Sequence, residues 1–444
     1  MHFASFRRLA PVVFGLSLAG CNGPGTDSAA TKTTAAAEAS AATLLTPGPW
    51  RGELATQGQK IPFLFEVKNE AGKPVVYLIN KGLDGEERLR CEEITAAGDS
   101  VTIRMHVFDA ALVVRADGAD KLKGTWVKYD AKEPYRVPLT ARAGTVVAPT
   151  GAESQTPVAG TWRVTFQDGA DSYPAVGVFQ ESAEGLTGTF LTTTGDYRYL
   201  SGWRYDGGRQ LQLSTFDGSH AFLFRAAFTG ENGAAYDAKK DVNGDLQGDF
   251  YSGKTGHETW TAVRDANAKL PDANTLTGLK PGQTKLDFTF PNSSGSGTIS
   301  PTDPKYRGKV VVLQVLGSWC PNCLDETNFL APWYEQNKAR GVEVIGLGYE
   351  RTPDPAKAAE KLRRMRERLR IGYDVAVAGQ ASAAEASKSL PQLKGILAFP
   401  TTIFLDKKGN VRKVHTGFSG PGTGKYYQQE TADFNRTVDQ LLRE

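Results

Sequence analysis

The chain has 444 residues, more than one hydrophobic core usually organises, so two or three domains are expected. Lys and Arg total 52 against 49 Asp and Glu, a formal net charge of +3, and this near balance gives no electrostatic case for a nucleic-acid partner. The only cysteines are Cys21, Cys91, Cys320 and Cys323, which excludes a disulfide-stapled scaffold and turns attention to thiol chemistry.

Residues 1–21 carry a basic pair, Arg7 and Arg8, then an apolar stretch over 9–18, then the small residues Ala19 and Gly20 before Cys21. That is the layout of an export signal, too short to cross a bilayer as a helix. The run Leu18-Ala19-Gly20-Cys21 resembles the bacterial lipoprotein signal, which implies cleavage before Cys21 and lipidation of its sulfur. The alternative is a plain secretory signal with an incidental cysteine. Several acyl chains, at roughly 0.8 kcal/mol per buried methylene, would anchor the chain stably to a membrane. Residues 22–48, rich in Ala, Thr and Ser, bury too little apolar surface to fold and are expected to be a flexible tether. The expected location is the periplasmic face of the cell envelope.

From residue 49 to 265 short alternating segments bounded by Gly, Asp and Asn predict antiparallel sheet. The region repeats itself, as units 49–145 and 158–265. Each opens on a Trp segment, Pro49-Trp50-Arg51-Gly52 and Gly160-Thr161-Trp162-Arg163. Each then has a long run read as one strand, 101–116 with Phe108-Asp109 and 211–226 with Phe216-Asp217. Both continue through Leu-x-Gly and aromatics, Leu122-Lys123-Gly124-Thr125-Trp126 and Leu246-Gln247-Gly248-Asp249-Phe250. Two β-rich antiparallel units, barrels or sandwiches, are expected. Asp241, Asn243 and Asp245 start like a calcium loop, but its sixth position is Leu246 and its twelfth Ser252, so an Asn243-Gly244 hairpin turn is the better reading. His106, His220 and His257 lack metal-ligand spacing, and Cys91 reads as a strand thiol.

After a linker over 266–284 the pattern changes. Residues 309–316, Lys-Val-Val-Val-Leu-Gln-Val-Leu, form a buried-strand run at the end of a Pro/Gly/Ser-rich connection over 280–304. It leads into Trp319-Cys320-Pro321-Asn322-Cys323 and a helical segment to about residue 338. Strands are expected at 342–347, 401–406 and 411–416, and a closing helix at 430–442, so residues 285–444 are expected to be an α/β domain. Cysteines two residues apart on a first helical turn can close a disulfide with little backbone movement. Cys320 would sit at the helix N-terminus as nucleophile, Pro321 suits the first helical position, and the deeper Cys323 would resolve the mixed disulfide. Half of a zinc site and a purely structural disulfide are the competing readings, but no ligand pair accompanies the cysteines, His415 stands alone, and the Trp319 flank and Phe399-Pro400 count against both. Neither metal nor cofactor is expected.

These residues resemble the TlpA/ResA-like branch of the thioredoxin superfamily. The match is carried by Gly308-Lys309-Val310-Val311-Val312, by Trp319 to Cys323 with Glu326 three residues on, and by Phe399-Pro400-Thr401-Thr402 before the strand ending in Asp406. The resemblance implies a thioredoxin-like fold, a cis-proline at Pro400, a substrate surface including Trp319 and Phe399, and Glu326 assisting proton transfer at Cys323. The expected activity is reduction of disulfides in envelope proteins through a reversible Cys320–Cys323 disulfide; an exported domain has no direct access to cytosolic reductants, so a membrane electron donor is expected if reduction is the task. Departures are Pro321-Asn322 between the cysteines, Asn328 where a proline is usual, and Pro332 a turn later. Two rivals stand beside it. A peroxiredoxin-like thiol peroxidase normally has a threonine where this chain has Gly317, and an envelope binding module would use the thiols only as accessories. The basic run over 357–370 reads as the solvated face of an amphipathic helix, with anionic headgroups or an acidic partner as the alternative.

Overall fold

The computed structural model describes residues 44–105, 107–130, 135–145, 156–230 and 244–444. The lipoprotein signal with Cys21, His106, and the Asp241 and Asn243 positions lie outside the described residues.

Alternating burial along Gln59–Glu70 shows why the first region is sheet, with Ile61, Phe63, Phe65 and Val67 inward and their neighbours outward. Gly48–Thr56 pairs antiparallel with both Gln59–Glu70 and Tyr135–Ala143, in an up-and-down, barrel-like sheet of nine strands. Leu45 is 1% exposed and Trp50 Nε1 donates to the Thr46 carbonyl at 2.9 Å. The fold therefore begins before residue 48, the expected end of the tether.

The second region is built likewise. Gly160–Asp168 pairs with Asp171–Ser182 and Gly256–Arg264, and Gly185–Thr192 pairs with both Asp171–Ser182 and Leu200–Tyr205, which closes the sheet on itself. Trp162 Nε1 donates to the Val158 carbonyl at 2.9 Å, the same contact, four residues back, that Trp50 makes. The interior is an aromatic cluster, with Phe224 and Phe250 stacked at 4.3 Å between ring centroids.

The runs over 101–116 and 211–226 are hairpins, not single strands: Ser100–Met105 with Ala110–Ala116, and Gln210–Phe216 with Ala221–Thr229. Asp109 adopts φ 47°, and Asp217 Oδ1 accepts the amides of Ser219 and His220, which turns the chain where a strand-like pattern suggested one straight strand.

The C-terminal region is thioredoxin-like. Its sheet runs in the order Asp374–Gln380, Val342–Glu350, Val310–Leu316, Thr401–Leu405, Val411–Thr416, the first three parallel and the last two antiparallel. Val310–Leu316 is buried throughout because both faces are covered. Helices Pro321–Asn337, Pro355–Arg368 and Lys425–Arg443 supply Leu330, Leu362 and Val438 to one core. On the other face lie the short helix Ala383–Ser389 and a segment read from sequence as a mere connection. Leu286, Phe288 and Ile299 of that segment are core residues, beside the small hairpin of Phe290–Pro291 and Thr298–Ile299.

Candidate redox site

Strand Val310–Leu316 ends in a short loop from which helix Pro321–Asn337 starts, with Cys320 as N-cap. The amide of Cys323 donates to Cys320 Sγ at 3.2 Å, so charge on that sulfur would meet a backbone dipole. Cys320 Sγ in turn donates to the Phe399 carbonyl at 3.4 Å, across from the cis Phe399–Pro400 bond. Trp319 and Phe399 meet edge to face at 5.5 Å, so Trp319, Cys320, Phe399 and Pro400 share one corner. Cys320 is 6% exposed and Cys323 1%. Burial, then the contact with Cys320, pushes the Cys323 thiol well above its ordinary range.

One turn further, Glu326 is buried in a polar network beneath the cysteines. Its Oε2 accepts Gln314 Nε2 at 2.7 Å and its Oε1 accepts the Thr402 hydroxyl. Gln314 Oε1 accepts the Tyr373 hydroxyl at 3.2 Å, Gln314 Nε2 also donates to Thr327 Oγ1 at 3.1 Å, and Thr327 donates to the Cys323 carbonyl at 2.7 Å. Burial raises Glu326 to about 7, against the lowering effect of the bonds from Thr402 and Gln314. Glu350 fixes the loop before the cysteines by accepting the amide and hydroxyl of Ser318, both at 2.8 Å, and burial raises it to about 7 as well. Arg351 stacks over Trp319 at 4.6 Å and pairs with Asp130 of the first barrel at 2.7 Å.

A family model described as Redoxin matches residues 280–429. The thiol-disulfide oxidoreductase ResA of Geobacillus thermodenitrificans is 29% identical over 141 residues, spanning 32% of this chain and 72% of the relative. The thiol:disulfide interchange protein DsbE of Escherichia coli K12 is 27% identical over 162 residues, spanning 36% of this chain and 78% of the relative. The C-terminal region is a TlpA/ResA-like thioredoxin-superfamily domain. With it the chain is a thiol–disulfide oxidoreductase. A secreted thiol-disulfide isomerase of Corynebacterium glutamicum superposes with a TM-score of 0.30 at 19% identity, covering 40% of this chain and 97% of that one.

Within the TlpA/ResA-like domain, Gln314, Thr327, Thr402 and Tyr373 escaped the sequence reading as site residues. Gln314 had a signal: a lone polar side chain in a run of buried apolar residues must find a partner. His415 faces Glu430 through Nε2 at 2.8 Å and Asn274 through Nδ1 at 2.9 Å. The basic run is not only a solvated face. Lys361 pairs with Asp109 at 2.8 Å and Arg368 with Glu92 at 3.0 Å, both in the first barrel. Cys91, fully buried at the end of its strand, has its thiol pushed up to about 12 by burial. His220 and His257 are each held by an aspartate, Asp217 and Asp249.

Proposed function

We propose that this oxidoreductase works outside the cytoplasm, tethered through a lipidated Cys21, and reduces disulfides in other envelope proteins. Cys320 as thiolate attacks a substrate disulfide, forming a Cys320–substrate bond and expelling one substrate thiolate. Cys323 then gives up its proton and attacks Cys320 Sγ, which releases the second thiolate and leaves an enzyme disulfide. Two electrons pass to the substrate, whose two thiolates take up two protons. Trp319, Phe399 and Pro400 are the proposed docking surface. Glu326, poised near neutrality and joined through Gln314 and Thr327 to the backbone of Cys323, is the proposed proton acceptor. An exported domain has no cytosolic reductant, so a dithiol donor at the membrane is needed to regenerate the thiols.

The observation that carries this reading is the pair of free thiols at a helix N-terminus above a buried carboxyl. Titration against glutathione with thiol alkylation and mass mapping tests it. A potential near about −270 mV supports a reductase, one near about −120 mV an oxidant of newly exported thiols. Cys320→Ser should abolish exchange and Cys323→Ser should trap mixed disulfides; turnover retained in the first variant would sink the assignment.

A further inference from the structure

The second barrel lies directly on the redox corner. Ser219 Oγ donates to the Trp319 carbonyl at 3.1 Å, and Asn322 Nδ2, between the cysteines, donates to the Asp196 carbonyl at 3.0 Å. On the proline side, the Gly417 amide donates to the Pro400 carbonyl at 2.9 Å, while the Thr194–Gly195 backbone packs so closely that a Cβ at Gly417 would stand 3.0 Å from the Gly195 nitrogen. Asp196 Oδ2 also accepts the Gly420 amide at 2.7 Å, and a Cβ on Gly420 would meet Asp325 at 2.5 Å. At Gly417, and at Gly422, where a Cβ would stand 2.9 Å from the Arg198 carbonyl carbon, the loop after Thr416 lets the second barrel's backbone approach.

Beneath these contacts Arg198 joins all three bodies. Its guanidinium is bidentate to Asp325, both bonds 2.7 Å, in the helix that begins at the cysteines. It also reaches Glu87 of the first barrel at 2.5 Å and Asp217 of its own barrel at 3.5 Å. The Arg198 side chain is 4% exposed, so this is an interior ion cluster and not a surface contact.

We propose that the second barrel is a cap over the dithiol, latched by Arg198, that sets the substrate class: small disulfides reach Cys320 with the cap closed, and polypeptide disulfides only once it lifts. Resting on the exchange reading above, the cap makes Arg198 a specificity-determining residue that never touches the reacting sulfurs. It covers Trp319, Asn322 and, beside the proline segment, Gly417, so a docked polypeptide must displace Ser219 and the Thr194–Asp196 turn.

Access is measured on the reduced full chain with N-ethylmaleimide and with a maleimide carrying a long poly(ethylene glycol) chain, Cys320 being followed by mass mapping. If the open form is populated at about 0.1–10%, the bulky reagent should react about ten- to a thousandfold slower, relative to the small one, than it does with a free cysteine. Arg198→Lys keeps the charge but loses the fork, and should raise the bulky rate more than the small one. Should that variant not fold, mild sub-denaturing urea on the native chain should produce the same selective rise. A bulky-to-small ratio equal to that of free cysteine, or one unmoved by latch weakening in folded protein, overturns the cap. Loss of a reversible Cys320–Cys323 couple would overturn the exchange reading instead, and leaves the access ratio measurable.

Discussion

Replacing Glu326 by Gln isolates the carboxyl in the network under the cysteines. Burial lifts this carboxyl from 4.5 to about 7, and at about 1.4 kcal/mol per pH unit that gap is worth roughly 3 kcal/mol. The folded state holds the proton more tightly than the unfolded chain. The stability tied to this group is therefore complete below about pH 4.5, falls as pH rises towards 7, and is gone above it. Gln can keep both partners, its carbonyl accepting from Gln314 while the Thr402 hydroxyl turns to accept. Denaturant unfolding at a series of pH values should then show native protein losing roughly 3 kcal/mol relative to the variant between pH 4.5 and 8. Glu350 and Asp196, also raised to about 7, are present in both proteins and cancel in the difference. In single-turnover exchange the native resolution rate should rise through pH 7. In the variant the rise should wait until Cys323, whose own ionisation is pushed well up, loses its proton unaided. Parallel stability curves together with an unmoved rate midpoint would refute both the burial account and the proton-transfer role.

Three further outcomes follow from the geometry. Gln314→Leu leaves the Tyr373 and Thr327 hydroxyls and the Glu326 carboxylate short of a partner, so it should cost about 1–3 kcal/mol and move the Glu326 midpoint upward, read by the same pH series. Arg198→Met should destabilise by about 3–5 kcal/mol because Asp325, Glu87 and Asp217 stay buried without their cation, whereas Arg363→Met on the exposed helix face should stay within about 0.5 kcal/mol in the same denaturation assay. Cys91 should remain unmodified when native reduced protein is treated with N-ethylmaleimide and should react only after denaturation, as mass mapping would show.

What the sequence made legible was whatever repeats or clusters locally. The Cys-x-x-Cys pair, its strand and its helix lie within a few residues of one another. The two barrels announce themselves because each uses the same inward alternation and the same Trp near its start, and the Trp50 and Trp162 indoles make the same contact four residues back. Strand Asp374–Gln380 was not legible: Asp-Val-Ala-Val-Ala-Gly-Gln has little of the β-branched and aromatic character that marks a strand, and it forms because its parallel neighbour Val342–Glu350 and two packed helices hold it there. The two hairpins read as single strands failed for a different reason. Phe108 and Phe216 are apolar, so the run seemed unbroken, although Asp109 and Asp217 beside them carry the turn chemistry.

The polar interior was the least legible part because its partners are distant in the chain. Arg198 and Asp325 are 127 residues apart, and Arg198 and Glu87 111 apart, so no window of sequence could pair them. Each taken alone reads as a solvated surface charge, which is the common fate of Arg, Glu and Asp. Their burial therefore had to come from the contact between bodies. That contact is made at the cysteines because glycines in the loop after Thr416 allow backbone to lie on backbone where side chains would hold the domains apart. A basic run that local periodicity assigns to solvent is drawn into the same surface through Lys361 and Arg368. The Cys-x-x-Cys corner could be read from one third of the chain, but what covers it comes from the other two thirds, through Ser219 and Asp196 on Trp319 and Asn322 and through Asp130 on Arg351.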